Sequence, residues 1–233
     1  MTVRQPAQAR GIATRAEILD VAAILFAEKG YSQTSLQDIL DQTGLKKGGL
    51  YYHFRTKQEI AVAVVTEGFA MDDTPTEAGP LQAVVDASIV LAWLTPQVPV
   101  VQAAARLATD QDHKDTFGYL WSQYIPRVTQ LLEEAKRREE LKPGVKPDET
   151  SWVWVAAYTG VDLMCRLDYA ALPRKVAAMN LHFVAGIATE RTLAELDMTV
   201  ERGRELLRRS PWAAEYLDKV APRTSAPSDW HKT

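Results

Sequence analysis

A chain of 233 residues that is 46% hydrophobic can bury a sizeable core in one small and one larger unit, and its single cysteine excludes any disulfide framework within the chain. The formal net charge of −3 excludes a protein that is basic throughout, yet the charge is uneven: eight Lys and Arg against six Asp and Glu give the first sixty residues +2, leaving −5 for the rest. No apolar run reaches the ~18 residues that span a bilayer, the N-terminus lacks the charged-then-apolar order of a signal peptide, and Cys165 lies in an apolar run that suits a reducing compartment, so a cytoplasmic protein with no membrane partner is expected.

Residues 1–13 hold Arg4, Pro6, Arg10 and Gly11 without periodicity and read as a flexible basic arm. Ile18, Leu19, Ala22, Leu25 and Phe26 then form one face of a helix from about Thr14 to Lys29, closed by Gly30. In the next stretch, YSQTSLQDILDQTGLKKGGLYYHFRTK, the apolar set Leu36, Ile39 and Leu40 precedes Gly44, and a second set, Leu45, Leu50 and Phe54, follows it. The spacing predicts two short helices joined by a tight turn. Thr34 and Ser35 stand where an N-cap belongs, with Asp38 near the positive end of the first helix. The second helix displays Lys46, Lys47, Tyr51, Tyr52 and His53, side chains that contact phosphates and base edges when such a helix enters a major groove. A solvated basic turn beside two packing aromatics is the plainer alternative. Gly48 and Gly49 cost about 1 kcal/mol each in a helix relative to Ala, which close approach of the backbone to a bulky partner explains.

From Lys57 to about Met71 a connector helix turns Ile60, Val64 and Val65 inward, and MDDTPTEAGP marks a linker. Leu81 to Thr95 and Val100 to Gln111 read as two helices separated by a kink at Pro96 and Pro99. Thr116 to Leu141 reads as one long helix that Pro126 bends or breaks. After the turn KPGVKPDE, residues 151–167 and 172–189 form two helices too apolar for one-sided burial, which a homodimer would cover. A helix from about Val200 to Leu217, interrupted near Pro211, ends the body, and residues 221–233 read as a disordered tail. The expected fold is all-α, with a helix-turn-helix unit over 14–56 and a body over 57–220.

The body offers a candidate pocket of Trp93, Trp121, Tyr124, Trp152, Tyr158, Thr159 and Phe183, mostly apolar with few polar handles, as small-molecule sites are. The alternative for these aromatics is core packing, and for Thr159 a bond back to its own helix, although Gly160 opens space beside it. Catalysis is not expected. His113 and His182 have no second His or Cys at metal-ligand spacing, and there is no phosphate loop or nucleophile motif, so neither a metal nor a cofactor is called for.

Residues 14–57, through TRAEILDVAAILFAEKGY, TSLQDI and TGLKKGGLYYHFRTKQEI, closely resemble the DNA-binding region of the TetR family of transcriptional regulators. The resemblance implies phosphate contacts from Thr34, Tyr52 and Lys57, groove contacts from Lys46, Lys47, Gly48, Gly49, Tyr51 and His53, with Ser35 also among the expected DNA-binding residues, and a homodimer on a pseudo-palindromic double-stranded operator. Lys46 departs from the Ser or Thr cap common in relatives, and Gly49 from their Ala or Thr. VVQAAARLATDQ, LLEEAKRREELKPGV, VAAYTGVDLM and IATERTLAELDMTVERGRELL resemble the γ-butyrolactone-receptor branch of that family. This implies a small lactone or butenolide inducer, control of secondary metabolism, and a ligand contact from Thr159. Here Tyr124 falls where that branch has a Trp, with Trp121 one turn earlier, and Gly68 where it has a Gln. A TetR-like repressor of drug efflux, with Asp162 receiving a cationic compound, is the rival reading. An orphan regulator answering to a partner protein is a third.

Overall fold

A computed structural model describes residues 7–70 and 79–210, and twelve α-helices account for most of them. They are α1 (Ala7–Lys29), α2 (Leu36–Thr43), α3 (Lys47–His53), α4 (Lys57–Ala70), α5 (Pro80–Leu94), α6 (Pro99–Ala108), α7 (Lys114–Phe117), α8 (Trp121–Arg137), α9 (Pro147–Cys165), α10 (Leu172–Ile187), α11 (Glu190–Glu195) and α12 (Val200–Arg209). Among the described residues no strand forms, and Leu141 and Ala188 make a single antiparallel bridge.

The start and stop of α2 follow from its own residues. Ser35 and Asp38 build a reciprocal capping box, in which the Asp38 amide donates to the Ser35 hydroxyl and the Asp38 carboxylate accepts from the Ser35 amide at 2.7 Å. Gly44, at φ +66°, takes the left-handed conformation that ends the helix and starts the turn into α3. Helix α1 is ended differently. Gly30 turns at φ +80°, and Arg106 of α6 reaches across to donate to the carbonyls of Ala27 and Glu28. A residue 78 positions away thus satisfies carbonyls that the last turn leaves unpaired.

One core runs through Ile18, Leu25 and Phe26 of α1, Ile39 of α2, Leu50 of α3 and Ile60 and Val64 of α4, and continues without a break into Leu107 of α6 and Leu206 of α12. The small unit and the body therefore share apolar packing. A second core joins Leu81, Val85 and Ile89 of α5 to Leu132 of α8, Trp154 of α9 and Val184 of α10. Helix α5 is buried nearly all round, and its polar residues are paired accordingly: Asp86 receives a two-pronged contact from Arg202 of α12 at 2.8 and 2.7 Å, and Gln82 exchanges hydrogen bonds with the backbone of Asp197.

Several expectations are corrected. Helix α1 begins at Ala7, so residues 7–13 of the expected arm are helical, because the alanines and polar residues flanking Gly11 suit a helix. Residues 1–6 and the tail lie outside the described residues. The long helix expected over 116–141 is split: α7 gives way to a 3-10 turn over Gly118–Leu120, and α8 then carries Pro126 in its interior. The break falls at the glycine and not at the proline, which sits inside α8 and forfeits one backbone hydrogen bond there. The kink between α5 and α6 forms where expected, with the two axes 109° apart.

Candidate nucleic-acid interface and ligand pocket

Helix α3 is held from below by the buried Leu50, and Phe54 behind it is buried too. Lys46, Lys47 and Gly48 are exposed on its first turn, Tyr51 and Tyr52 are 49% and 82% exposed on its second, and His53 is half-buried with its ring edge-on to Tyr52 at 5.0 Å. Lys46 occupies the N-cap position and makes no side-chain cap bond, so among the described residues only the Gly49 amide, of the first three in α3, finds a backbone partner, the Lys46 carbonyl at 2.9 Å, and no side chain of the cap covers the others. Such a helix start attracts anions. Nothing of the protein lies within 4 Å of where a Cβ would project from Gly48 or Gly49. Internal packing therefore does not require glycine at either position.

Three expected contact residues are engaged otherwise. The Thr34 hydroxyl is buried and donates to the Gly30 carbonyl at 2.8 Å, which corrects its expected phosphate contact: it ties the end of α1 to the start of α2. Ser35 is spent on the capping box. Lys57 turns inward, donating from Nζ to the carbonyls of Tyr31 and Thr34 at 2.8 Å each and lying 4.0 Å from the centre of the Tyr31 ring. Burial pushes its pKa below the ordinary lysine range. Its first role is a clamp between α4 and the turn ahead of α2, with at most one ammonium proton left for a phosphate.

The body holds a partly open cavity of about 60 Å³. Its walls come from Gly68 at the end of α4, Ser88, Leu91 and Thr95 around α5, Val101, Ala105 and Thr109 around α6, Tyr124, Val128 and Leu131 of α8, and Trp154, Tyr158, Thr159 and Asp162 of α9. Of the expected ligand residues, Tyr124, Tyr158 and Thr159 line it. Trp93 does not: its indole donates to the Val200 carbonyl, Arg204 lies over its face, and Gly203 makes room for it under α12. Trp152 is 61% exposed on the outer face of α9, and Phe183 packs edge-on against Trp154 in the second core. The Trp121 side chain lies outside the described residues. Among the described tryptophans it is Trp154, two positions from Trp152, that reaches the cavity, and sequence periodicity did not distinguish the two.

The polar groups of this cavity are mostly satisfied by their own helices. Thr159 donates to the Val155 carbonyl at 2.8 Å, Thr95 to Leu91 at 2.8 Å and Ser88 to Val85 at 2.8 Å. Thr109 accepts a short hydrogen bond from Arg166, which also stands 3.5 Å from Asp162 Oδ2. Burial pushes the Asp162 carboxyl above the usual carboxylate range, with Arg166 pulling the other way. Burial, then the charge of Asp162, pushes the neighbouring Tyr169 phenol up to about 12. Gly68 is fixed by packing, since a Cβ there would stand 2.6 Å from the Val100 carbonyl oxygen and 2.7 Å from Ala104 Cβ. Here α4 packs directly against the backbone of α6.

A short helix presented over a left-handed glycine turn, backed by a bundle with an internal apolar cavity, defines a helix-turn-helix regulator with a small-molecule chamber. Residues 18–64 match the bacterial regulatory proteins of the tetR family. The A-factor receptor protein of Streptomyces griseus is 30% identical over 191 residues, 81% of this chain and 69% of that protein. TylP, a tetR regulator from Streptomyces fradiae, superposes with a TM-score of 0.76 at 28% identity, covering 85% of this chain and 98% of that one. An ArpA-like γ-butyrolactone receptor gives a TM-score of 0.70 at 25% identity over 86% of this chain and all of that one. The chain belongs to the TetR family of transcriptional regulators.

Proposed function

We propose that this regulator represses genes of secondary metabolism by holding a pseudo-palindromic operator as a homodimer, and that a γ-butyrolactone or butenolide entering the α4–α9 cavity releases it. The observation carrying this reading is that one helix serves both ends: Lys57 in the first turn of α4 clamps the α1–α2 turn, and Gly68 in its last turn forms part of the cavity wall. At about 60 Å³ the cavity is far below the ~300 Å³ at which small-molecule sites begin. A ligand must therefore push α4, α6, α8 or α9 outward, and a moved α4 carries its clamp with it. A hundredfold loss of DNA affinity needs the ligand to favour the released state by about 2.7 kcal/mol, within ordinary coupling energies.

In this reading residues 14–56 contact DNA through Lys46, Lys47, Gly48, Gly49, Tyr51, Tyr52 and His53, residues 57–70 connect, and Tyr124, Tyr158 and Thr159 touch the ligand. The exposed Trp152, Val153, Leu163 and Met164 of α9, Leu167 in the turn that follows it, and Leu181 of α10 form the dimer face, since so many large apolar groups on neighbouring segments seek cover. Partner copies then set two α3 helices into successive major-groove faces about 34–36 Å apart or a multiple of that. Selection from a random duplex pool tests the whole: a two-fold symmetric consensus, released by an alkyl γ-butyrolactone in a gel shift, is expected. An asymmetric consensus would end the dimer reading, and a retained complex at saturating lactone would end the inducer reading.

A further inference from the structure

Two cations reach the α1–α2 turn from different helices of the body. Lys57 of α4 donates to the carbonyls of Tyr31 and Thr34, and Arg106 of α6 donates from one guanidinium nitrogen to the carbonyls of Ala27 at 2.8 Å and Glu28 at 3.0 Å. The second grip is closely fitted. Gly30, at φ +80°, brings the turn so near that a Cβ there would stand 3.3 Å from two nitrogens of the Arg106 guanidinium. Thr34 then bonds back to the Gly30 carbonyl, which ties the end of α1 to the start of α2.

Helix α6 carries this grip on one side and the cavity on the other. Val101 and Ala105 of α6 and Thr109 at its end, spaced four apart, form a stripe that lines the cavity, and Arg106 follows Ala105 directly. From the cavity side Arg166, at the end of α9, donates to the Ala105 carbonyl at 3.3 Å and to the Thr109 hydroxyl. Arg166 Nε and the Oδ1 of its neighbour Asp162 have no hydrogen-bond partner in the protein, so the wall is incompletely bonded here and rearranges at lower cost than a fully bonded one. Toward the head the position is the reverse. Apolar contacts of α6 with α1 are non-directional and tolerate sliding, whereas the hydrogen bond of 3.0 Å is lost when lengthened by about 1 Å. A shifted α6 therefore either drags the end of α1 with it or lets it go.

We infer that Arg106 is a positioning residue that carries a change in the cavity to the helix-turn-helix unit through α6, alongside the route through α4. This rests on the proposed release of DNA by a ligand in the cavity, but not on the chemistry of that ligand.

The test uses the full-length protein and reads the ratio of operator affinities without and with saturating ligand. A residue that is only structural shifts both affinities alike and leaves their ratio unchanged. Arg106→Met keeps the apolar stem and removes every donor, and Arg106→Lys keeps the charge as a single point donor. With an alkyl γ-butyrolactone as probe, a ratio of about 100 in the unaltered protein is expected to fall below about ten in Arg106→Met and to lie between the two in Arg106→Lys. A second arm needs no ligand. Ala87→Leu, on α5 at the cavity wall, fills the space of about 60 Å³ from within, and should lower operator affinity about tenfold in the unaltered protein but less than about threefold in the Arg106→Met background. Thermal melting checks that each variant folds, and Arg106→Lys carries both arms if Arg106→Met does not. An unchanged ratio in the variants that fold, an equal cost of Ala87→Leu in both backgrounds, or no cost at all, overturns the role of Arg106. If the lactone fails to release the unaltered protein while Arg106→Met still cuts the cost of Ala87→Leu, the lactone reading falls and the role of Arg106 stands.

Discussion

The reading head and the chamber behind it are built on opposite principles. In the head, the proposed function sits on the outside of a rigid frame: Leu50 and Phe54 are buried, Ser35 and Asp38 close the start of α2, Gly44 sets the turn, and Lys46, Lys47, Tyr51 and Tyr52 project into solvent. In the chamber, function is on the inside, the walls come from five helices, and most hydroxyls are bonded back to their own backbones. A frame that fixes exposed groups suits a surface that must dock on DNA without rearranging. A small apolar space with one unsatisfied carboxylate suits a surface that changes when filled. The head is specified locally and the chamber by assembly.

The sharpest way to break this contrast is to remove the assembly. Leu167→Asp, on a side chain 102% exposed in the turn that follows α9, should convert the protein to a monomer by light scattering and lower operator affinity at least hundredfold through lost bivalency, with the head still folded. If DNA affinity survives monomerisation, the two heads do not act as a pair. Next in size, Lys47→Ala or Tyr51→Ala should each cost about 1–3 kcal/mol of operator binding and leave the melting temperature unchanged, since both side chains are exposed. A drop in melting temperature would mean that these groups belong to the frame.

Lys57→Ala inverts that pattern. Losing two hydrogen bonds from a charged donor should lower stability by about 1.5–3 kcal/mol each at most, while the salt dependence of DNA binding stays as it was. A salt slope lower by about one unit at unchanged stability would instead make Lys57 a phosphate contact. Ser35→Ala, which removes the cap of α2, should cost about 1 kcal/mol in denaturant melts. The two hydrogen bonds from Ser35 hold the Asp38 carboxyl below its ordinary range. Because the folded pKa is depressed, the stabilisation it brings is complete above the unfolded value near 3.9 and is lost as pH falls through the folded value, so the cost of Ser35→Ala should be the same at pH 7 and pH 5. The smallest effect belongs to Thr159→Val: its hydroxyl proton is internally bonded, so DNA binding should hold and the lactone needed for release should rise only a few-fold in a gel-shift titration. Loss of DNA binding would mark Thr159 as structural.

The sequence by itself determined the head nearly to the residue. Capping, a left-handed glycine and 3.6-residue spacing act over four or five positions, and Ser35, Asp38, Gly44 and Leu50 all serve as their local patterns require. It also determined that the body is helical, that α5 and α6 part at the prolines, and that α9 and α10 carry more apolar surface than their own chain covers. What it did not determine is which way a side chain faces when its helix is apolar all round. Trp152 and Trp154 read alike in the sequence, yet one is exposed and the other lines the cavity, while Trp93 and Phe183 are claimed by α12 and by Trp154. Polarity was equally silent on direction: Lys57 and Thr34 turn inward to carbonyls that only the folded turn supplies. Asp162 needed the tertiary structure most, because whether a carboxylate is satisfied depends on every group around it, and its surroundings here are contributed by helices separated by some sixty residues of chain.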